Sequence, residues 1–283
     1  MCDILSKNLD ISKYNEDFEH DKLVYIENFI KNDVRLNLVN YINGKKDDYK
    51  IKNGNSILSI LGQLDAKNNT SDDNILKQHY VISGNDMQKY FSDLHYYYHN
   101  CFADTVSKIV GRKVYPINEK YTMNNSLIIY ENEGDSLRWH TDKSMFNDKK
   151  VYTLLVYLYN NSSQNLCYIN HDKKKDCIFT KENSCVILEH FTLEHAVTQL
   201  KKNEKKILWS MTYAEDINIT SLWGYIQNKG KNLSYLGLSA LNSIDILFIL
   251  ILIICFLMII WKYLFMKKSK IKKFDYLKLF KII

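Results

Sequence analysis

The sequence predicts a mainly β protein, an antiparallel sandwich or barrel with supporting N-terminal helices, followed by one transmembrane helix. Three observations lead there. From residue 121 onward, "SLIIYEN", "YTLLVYLYN", "NLCYIN", "CIFT", "SCVILEH" and "KILWSMTYA" are short β-branched and aromatic runs separated by polar turns. Ahead of them, residues 85–111 carry apolar side chains at helical spacing. Behind them, "ILFILILIICFLMIIWKYLFM" (246–266) has 16 leading residues without a charged or amide side chain. At ~1.5 Å per residue a helix of that length spans roughly 31 Å, the thickness of a bilayer core.

Taken in order, residues 1–21 are polar and lack the apolar core of a signal peptide. "KLVYIENFIKNDVRLNLVNYI" (22–42) reads as a strand, a turn near Asn28 and an amphipathic helix. Residues 43–85 read as loops around a short apolar "SILSILGQL". The 85–111 helix has Asp86 as its expected cap, and its run of tyrosines and histidines is a packed helix face. The β runs follow to residue 215, then a linker (216–243), the apolar segment (244–266) and a basic tail (267–283).

The 283 residues are 46% hydrophobic and 13% aromatic, ample for a buried core. The net charge of +6 belongs to the tail, because residues 262–283 hold eight lysines and one aspartate. A body that is near neutral argues against nucleic acid as the partner. The tail suits a membrane surface. Six scattered cysteines include no C-x-x-C pair, which argues against a structural zinc site and favours a reducing compartment. Glu131, Glu133 and Asp135 read as a solvated turn.

"EGDSLRWHTDK" places His140 and Asp142 two residues apart at a strand end, where both side chains point to one side. Two imidazoles and a carboxylate on one face form the facial triad that suits non-haem Fe(II). The third ligand should come from a later strand, and His195 in "LEHAV" lies 53 residues beyond Asp142. Ten residues further, Lys205 opens the strand "KILWSMTY" and offers a point charge for the far carboxylate of a dicarboxylate cosubstrate. Lys206 is the alternative, since neighbouring side chains on a strand face opposite ways. Tyr130 can put a phenol in the same pocket. His190 lacks the H-x-V context and reads as a loop or rim histidine. Trp139 and Arg138 flank the site.

In this order, "YENEGDSLRWHTD", "YTLLVYLYN", "EHAV" and Lys205 resemble the Fe(II)/2-oxoglutarate dioxygenase superfamily, with the prolyl 4-hydroxylase branch the nearest likeness. That branch has a tyrosine and a glycine before H-x-D, a T-x-x-x-Y-L strand, an H-x-V and a basic residue about ten positions on. The likeness covers residues 22–215. It implies a double-stranded β-helix (jelly-roll) core, iron on His140, Asp142 and His195, and 2-oxoglutarate on Lys205 with help from Tyr130. The implied reaction consumes O2, converts 2-oxoglutarate to succinate and hydroxylates an unactivated C–H bond, with ascorbate as a possible accessory. The chain departs from the branch at "NNSSQNLCYI", where paired glycines and a Leu-x-Phe are common.

The expected function is a membrane-anchored hydroxylase of a protein or peptide side chain. A nucleic-acid oxidative demethylase and a non-catalytic scaffold on the same barrel are the alternatives. A basic pocket mouth would favour nucleic acid, and an aromatic groove would favour peptide. By the positive-inside rule the lysine-rich tail favours a cytosolic C-terminus. The layout of a tail-anchored protein instead keeps the catalytic domain in the cytosol, and that is the placement expected.

Overall fold

The computed structural model describes residues 4–7, 9–53, 79–117, 125–142, 150–190, 192–217, 250–251 and 253–262. The chain divides into two units, Met1–Ala240 and Leu241–Ile283. In the first, eight strands build a large sheet: β1 (Leu23–Ile26), β2 (Ile51–Asn53), β3 (His79–Ile82), β4 (Tyr115–Pro116), β5 (Asn125–Tyr130), β7 (Val151–Asn160), β10 (Ser184–Glu189) and β12 (Lys206–Ala214). They run in the order β1-β10-β7-β12-β5-β3-β2, with β4 on β12. A smaller sheet holds β6 (Leu137–Thr141), β8 (Asn165–Ile169), β9 (Lys175–Phe179) and β11 (Glu194–Val197) in the order β6-β11-β8-β9. All pairs are antiparallel. From β5 onward the chain winds between the two sheets, which is the double-stranded β-helix.

The large sheet is covered on both faces, which explains its near-continuous apolar runs. Alternate residues of one strand enter different cores. Leu154, Val156 and Leu158 of β7, with Ile207, Trp209 and Met211 of β12, pack under the helices. Tyr157 and Leu208 from the same strands meet Leu166, Tyr168 and Val197 of the small sheet. The helical layer comprises α1 (Tyr14–Asp21), α2 (Asn32–Asn43), α3 (Lys46–Tyr49), α4 (Gly84–Tyr90), α5 (Ser92–Asn100) and α6 (Ala103–Val110). Its buried face includes Phe18, Leu38, Ile42, Met87, Leu94, Tyr98, Val106 and Ile109.

Several expectations change here. The 85–111 stretch is three helices, because it breaks at Phe91 (φ −125°, ψ 57°), whose side chain is fully buried, and again at Cys101–Phe102. Ser83, not Asp86, is the cap. Its hydroxyl oxygen accepts from the Asp86 N–H at 3.3 Å and donates to the Asp86 carboxylate at 2.7 Å. Tyr98 is a packed residue as expected, its hydroxyl 2.7 Å from the carbonyl oxygens of Ile117 and Thr212. The turn at Asn28 is present, with φ 53°. The polar N-terminal segment is not separate, for Ile4 and Phe18 lie in the main core.

The cysteine reading also changes. Cys167 and Cys177 face each other across β8 and β9 and form a disulfide, and Cys101 is disulfide-bonded as well. Cys185 and Cys255 are free.

In the second unit, residues 250–251 and 253–262 are helical. Large apolar side chains lie exposed along this segment, Phe256, Ile259 and Trp261 by 63–66%. Among the described residues, no helix is long and apolar enough to cross a membrane. The remainder of the expected span, the linker beyond 217, the tail and "SILSILGQL" lie outside the described residues.

Candidate metal centre

The turn between β5 and β6 sets up the first two ligands. Gly134 adopts φ 86°, a left-handed conformation that side chains resist. Its N–H donates to the Leu200 carbonyl at 2.9 Å, and the Leu200 N–H returns to the Asp135 carbonyl at 2.9 Å. The Asp135 carboxylate accepts from the Glu131 and Asn132 N–H groups, each at 2.9 Å. Asp135 is therefore no solvated residue but a fully buried clamp. Gln164, which the sequence did not single out, donates through Nε2 to the Asp135 and Thr198 carbonyls at 2.8 and 2.7 Å.

A β-bulge then aims the ligands. His195 pairs with His140 and Val197 pairs with Leu137, so β6 spends one residue more than β11 between the same points. The extra residue lets Leu137 and His140 share a face although they are three positions apart. It leaves Trp139 beneath the Lys175 ammonium, 5.5 Å from the ring centroid.

His140, Asp142 and His195 come together as expected, with one potential ligand atom of each within 4.8 Å of the others. Asp142 Oδ1 is 3.3 Å from His140 Nε2, and Oδ2 is 3.9 Å from His195 Nε2. The imidazole rings of His140 and His195 lie 4.3 Å apart. His195 Nδ1 is 3.2 Å from the Leu193 carbonyl, to which it donates when protonated there, leaving Nε2 as the acceptor for a metal. Desolvation pushes the Asp142 carboxyl up, but the His140 hydrogen bond and the charges of His195, His190 and His140 hold it well below the usual range. An ionised carboxylate with two convergent imidazoles fits Fe(II).

Of the two candidate lysines, the structure buries Lys206 and not Lys205. Lys205 turns to Glu131, its Nζ 3.6 Å from the carboxylate, where Lys46 and Lys50 also bind. Its neighbour Lys206 enters the space between the sheets. Lys206 pairs with Tyr130 across β5 and is 1% exposed. Its ammonium sits 5.1 Å from the Tyr130 ring and 5.7 Å from the Tyr157 ring. No carboxylate pairs with it among the described residues, and desolvation pushes its pKa down to about 7. Burial raises the pKa of both phenols, so Tyr130 and Tyr157 remain protonated donors. Tyr130 thus lies where the sequence reading put it, and Tyr157 was missed. A buried cation flanked by two phenols is a receptacle for an anion.

His190 is also not a rim residue. Its Nε2 is 3.8 Å from Asp142 Oδ2 and hydrogen-bonds with the Thr153 hydroxyl. A cleft of about 410 Å³ is lined by Thr141 and Glu194, which pair across β6 and β11 next to His140 and His195, and by Leu193, His20, Lys22 and His171. Its charges balance, Lys22 and Lys173 against Asp21 and Glu194, and it is neither basic nor aromatic among the described residues. A larger cleft of about 790 Å³, between the N-terminal segment and the start of α2, contains none of the expected site residues.

Fold and site together define a jelly roll with a two-histidine, one-carboxylate cluster between its sheets. That fold is similar to the fold of solved non-heme alpha ketoglutarate dependent enzymes. The non-heme alpha ketoglutarate dependent carbocyclase SnoK from nogalamycin biosynthesis is similar at a TM-score of 0.56 and 8% identity, over 78% of this chain and 91% of that one. EctD from S. alaskensis, solved with 2-oxoglutarate and 5-hydroxyectoine, is similar at 0.50 and 13%, over 75% and 80%. A Pseudomonas putida prolyl-4-hydroxylase is similar at 0.47 and 10%, over 72% and 97%. No family model and no curated sequence matches the chain.

Proposed function

We propose that this chain is an Fe(II)/2-oxoglutarate-dependent hydroxylase of a protein or peptide side chain, held at a membrane by its C-terminal apolar segment. Lys206 is the observation that carries the reading. A sandwich interior has no structural use for an ammonium without a counter-ion, and such a group persists where a ligand neutralises it. When bound, iron supplies O2 activation coupled to oxidative decarboxylation of 2-oxoglutarate to succinate. His140, Asp142 and His195 would hold the metal. Lys206 would take the far carboxylate, with Tyr130 and Tyr157 as neutral donors beside it. The apolar core between the sheets, with Leu166, Leu188 and Leu208, keeps water from that space. The cleft lined by Thr141 and Glu194 sets two cations against two carboxylates, which gives a polyanion no basic surface.

The membrane part rests on sequence hydropathy and on the exposed apolar side chains of the helical residues 250–251 and 253–262. The disulfides point to an oxidising compartment. Together with the lysine-rich tail, they favour a domain on the non-cytosolic face and a cytosolic tail, in place of the cytosolic domain expected from sequence.

The test uses the full-length chain in detergent with Fe(II), ascorbate and 2-oxoglutarate, with and without proline-containing peptides. Succinate release that requires His140 and Lys206 and rises with peptide supports the reading. Release unchanged in His140→Ala, or absent throughout, refutes it.

A further inference from the structure

We propose that His190 is a positioning residue of the metal centre: held by Thr153, it fixes the second oxygen of Asp142 and so the way that carboxylate meets a metal ion. This rests on the reading of His140, Asp142 and His195 as a metal site.

A carboxylate that ligates through one oxygen leaves the other to swing. It either chelates the same ion or turns to water unless a neighbour restrains it. The Asp142 carboxylate is bracketed by imidazoles. His140 Nε2 lies 3.3 Å from Oδ1, while His190 Nε2 and His195 Nε2 lie 3.8 and 3.9 Å from Oδ2. The cluster whose ligand atoms all lie within 4.8 Å of one another comprises His140, Asp142 and His195. His190 stands behind that cluster, on the Oδ2 side.

Its ring is fixed for this task. Nε2 hydrogen-bonds with the Thr153 hydroxyl, and the His190 backbone N–H donates to the Val151 carbonyl at 2.9 Å. Both anchors belong to β7, in the middle of the large sheet, whereas Asp142 follows β6 of the small sheet. The side chain is 11% exposed, so little water competes for it. His190 therefore ties the ligand-bearing end of one sheet to the rigid strand of the other. A carboxylate shift of about 1 Å would let the single Nε2 hydrogen bridge Thr153 Oγ1 and Asp142 Oδ2 in a three-centre bond.

The experiment titrates Co(II) into the metal-free full-length chain, following absorption and the thermal midpoint with and without metal. It compares the parent with His190→Leu, His190→Gln and Thr153→Val. Removing an outer partner of a ligand typically lowers metal affinity roughly 10–100-fold. His190→Leu should show that loss, with the metal-free midpoint little changed. His190→Gln, which retains a donor, should recover part of it, and Thr153→Val should weaken binding in the same direction. Thr153→Val decides the matter should His190→Leu fail to fold. Parent-like Co(II) affinity in the folded variants overturns the proposal. So does a fall in the number of bound imidazoles on removing His190, which would make it a ligand itself. A parent chain that binds no Co(II) overturns the metal reading with it, an outcome distinct from equal binding by all variants.

Discussion

Replacing Lys206 with methionine should make the empty protein more stable while removing its cosubstrate site. The side chain is 1% exposed, and desolvation lowers its pKa from the ordinary 10.5 to about 7. The sign follows from proton binding. Between pH 7 and 10.5 the unfolded chain holds a proton on this lysine that the folded chain has released, so stability rises with pH across that window. At 1.36 kcal/mol per pKa unit, burying this lysine costs about 4 kcal/mol at pH 7 and about 2 kcal/mol at pH 9. Methionine has similar length and no charge, so Lys206→Met should gain amounts of that order, less the lost contacts with the Tyr130 and Tyr157 rings. Urea unfolding of both proteins at pH 7 and pH 9, without metal or cosubstrate, measures the gap. A gap that narrows by about 2 kcal/mol between the two pH values supports the reasoning. A variant less stable than its parent at pH 7, or a gap independent of pH, would refute it.

Lys205→Met should change 2-oxoglutarate affinity less than about fivefold, because Lys205 is turned to Glu131 and a partly exposed ion pair contributes about 0–1 kcal/mol; calorimetric titration checks this. Gly134→Ala should cost about 1–2 kcal/mol of stability through its positive φ alone, as an added Cβ meets nothing within 4 Å; thermal unfolding reads the shift. Replacing both Cys167 and Cys177 with alanine releases a loop whose ends are 10 residues apart and should cost roughly 2.5 kcal/mol, measured by denaturant unfolding.

The cluster of His140, Asp142 and His195 was legible because H-x-D at a strand end and "EHAV" on a later strand need only strand periodicity to face one another. The lysine was not. Every residue of β12 is buried, so "KILWSMTYA" carries no polar alternation from which to read its faces. Its register comes from pairing, with Lys206 opposite Tyr130 on one side and Asn160 on the other. Lys205 falls in the preceding turn, its N–H donating to the Asn161 side chain at 2.6 Å. The disulfide was legible in principle: Cys167 and Cys177 each lie five residues from Asp172, the middle of the polar "NHDKK" turn, and a hairpin closed there puts them opposite each other. His190 carried no sequence signal, since its partner Thr153 lies 37 residues away and its relation to Asp142 exists only across two sheets. The break at Phe91 was hidden because its burial, not helix periodicity, fixes the chain there.

The most direct test of the account is calorimetric titration of 2-oxoglutarate into the full-length chain under anaerobic conditions. It is run with Mn(II) in place of iron and without metal, on the parent and on Lys206→Met. Tight binding is expected only when metal and Lys206 are both present, with a loss of roughly 30-fold or more on removing the lysine, since breaking a buried charge pair costs about 2–5 kcal/mol. Binding that persists in Lys206→Met, or that is indifferent to metal, would contradict it.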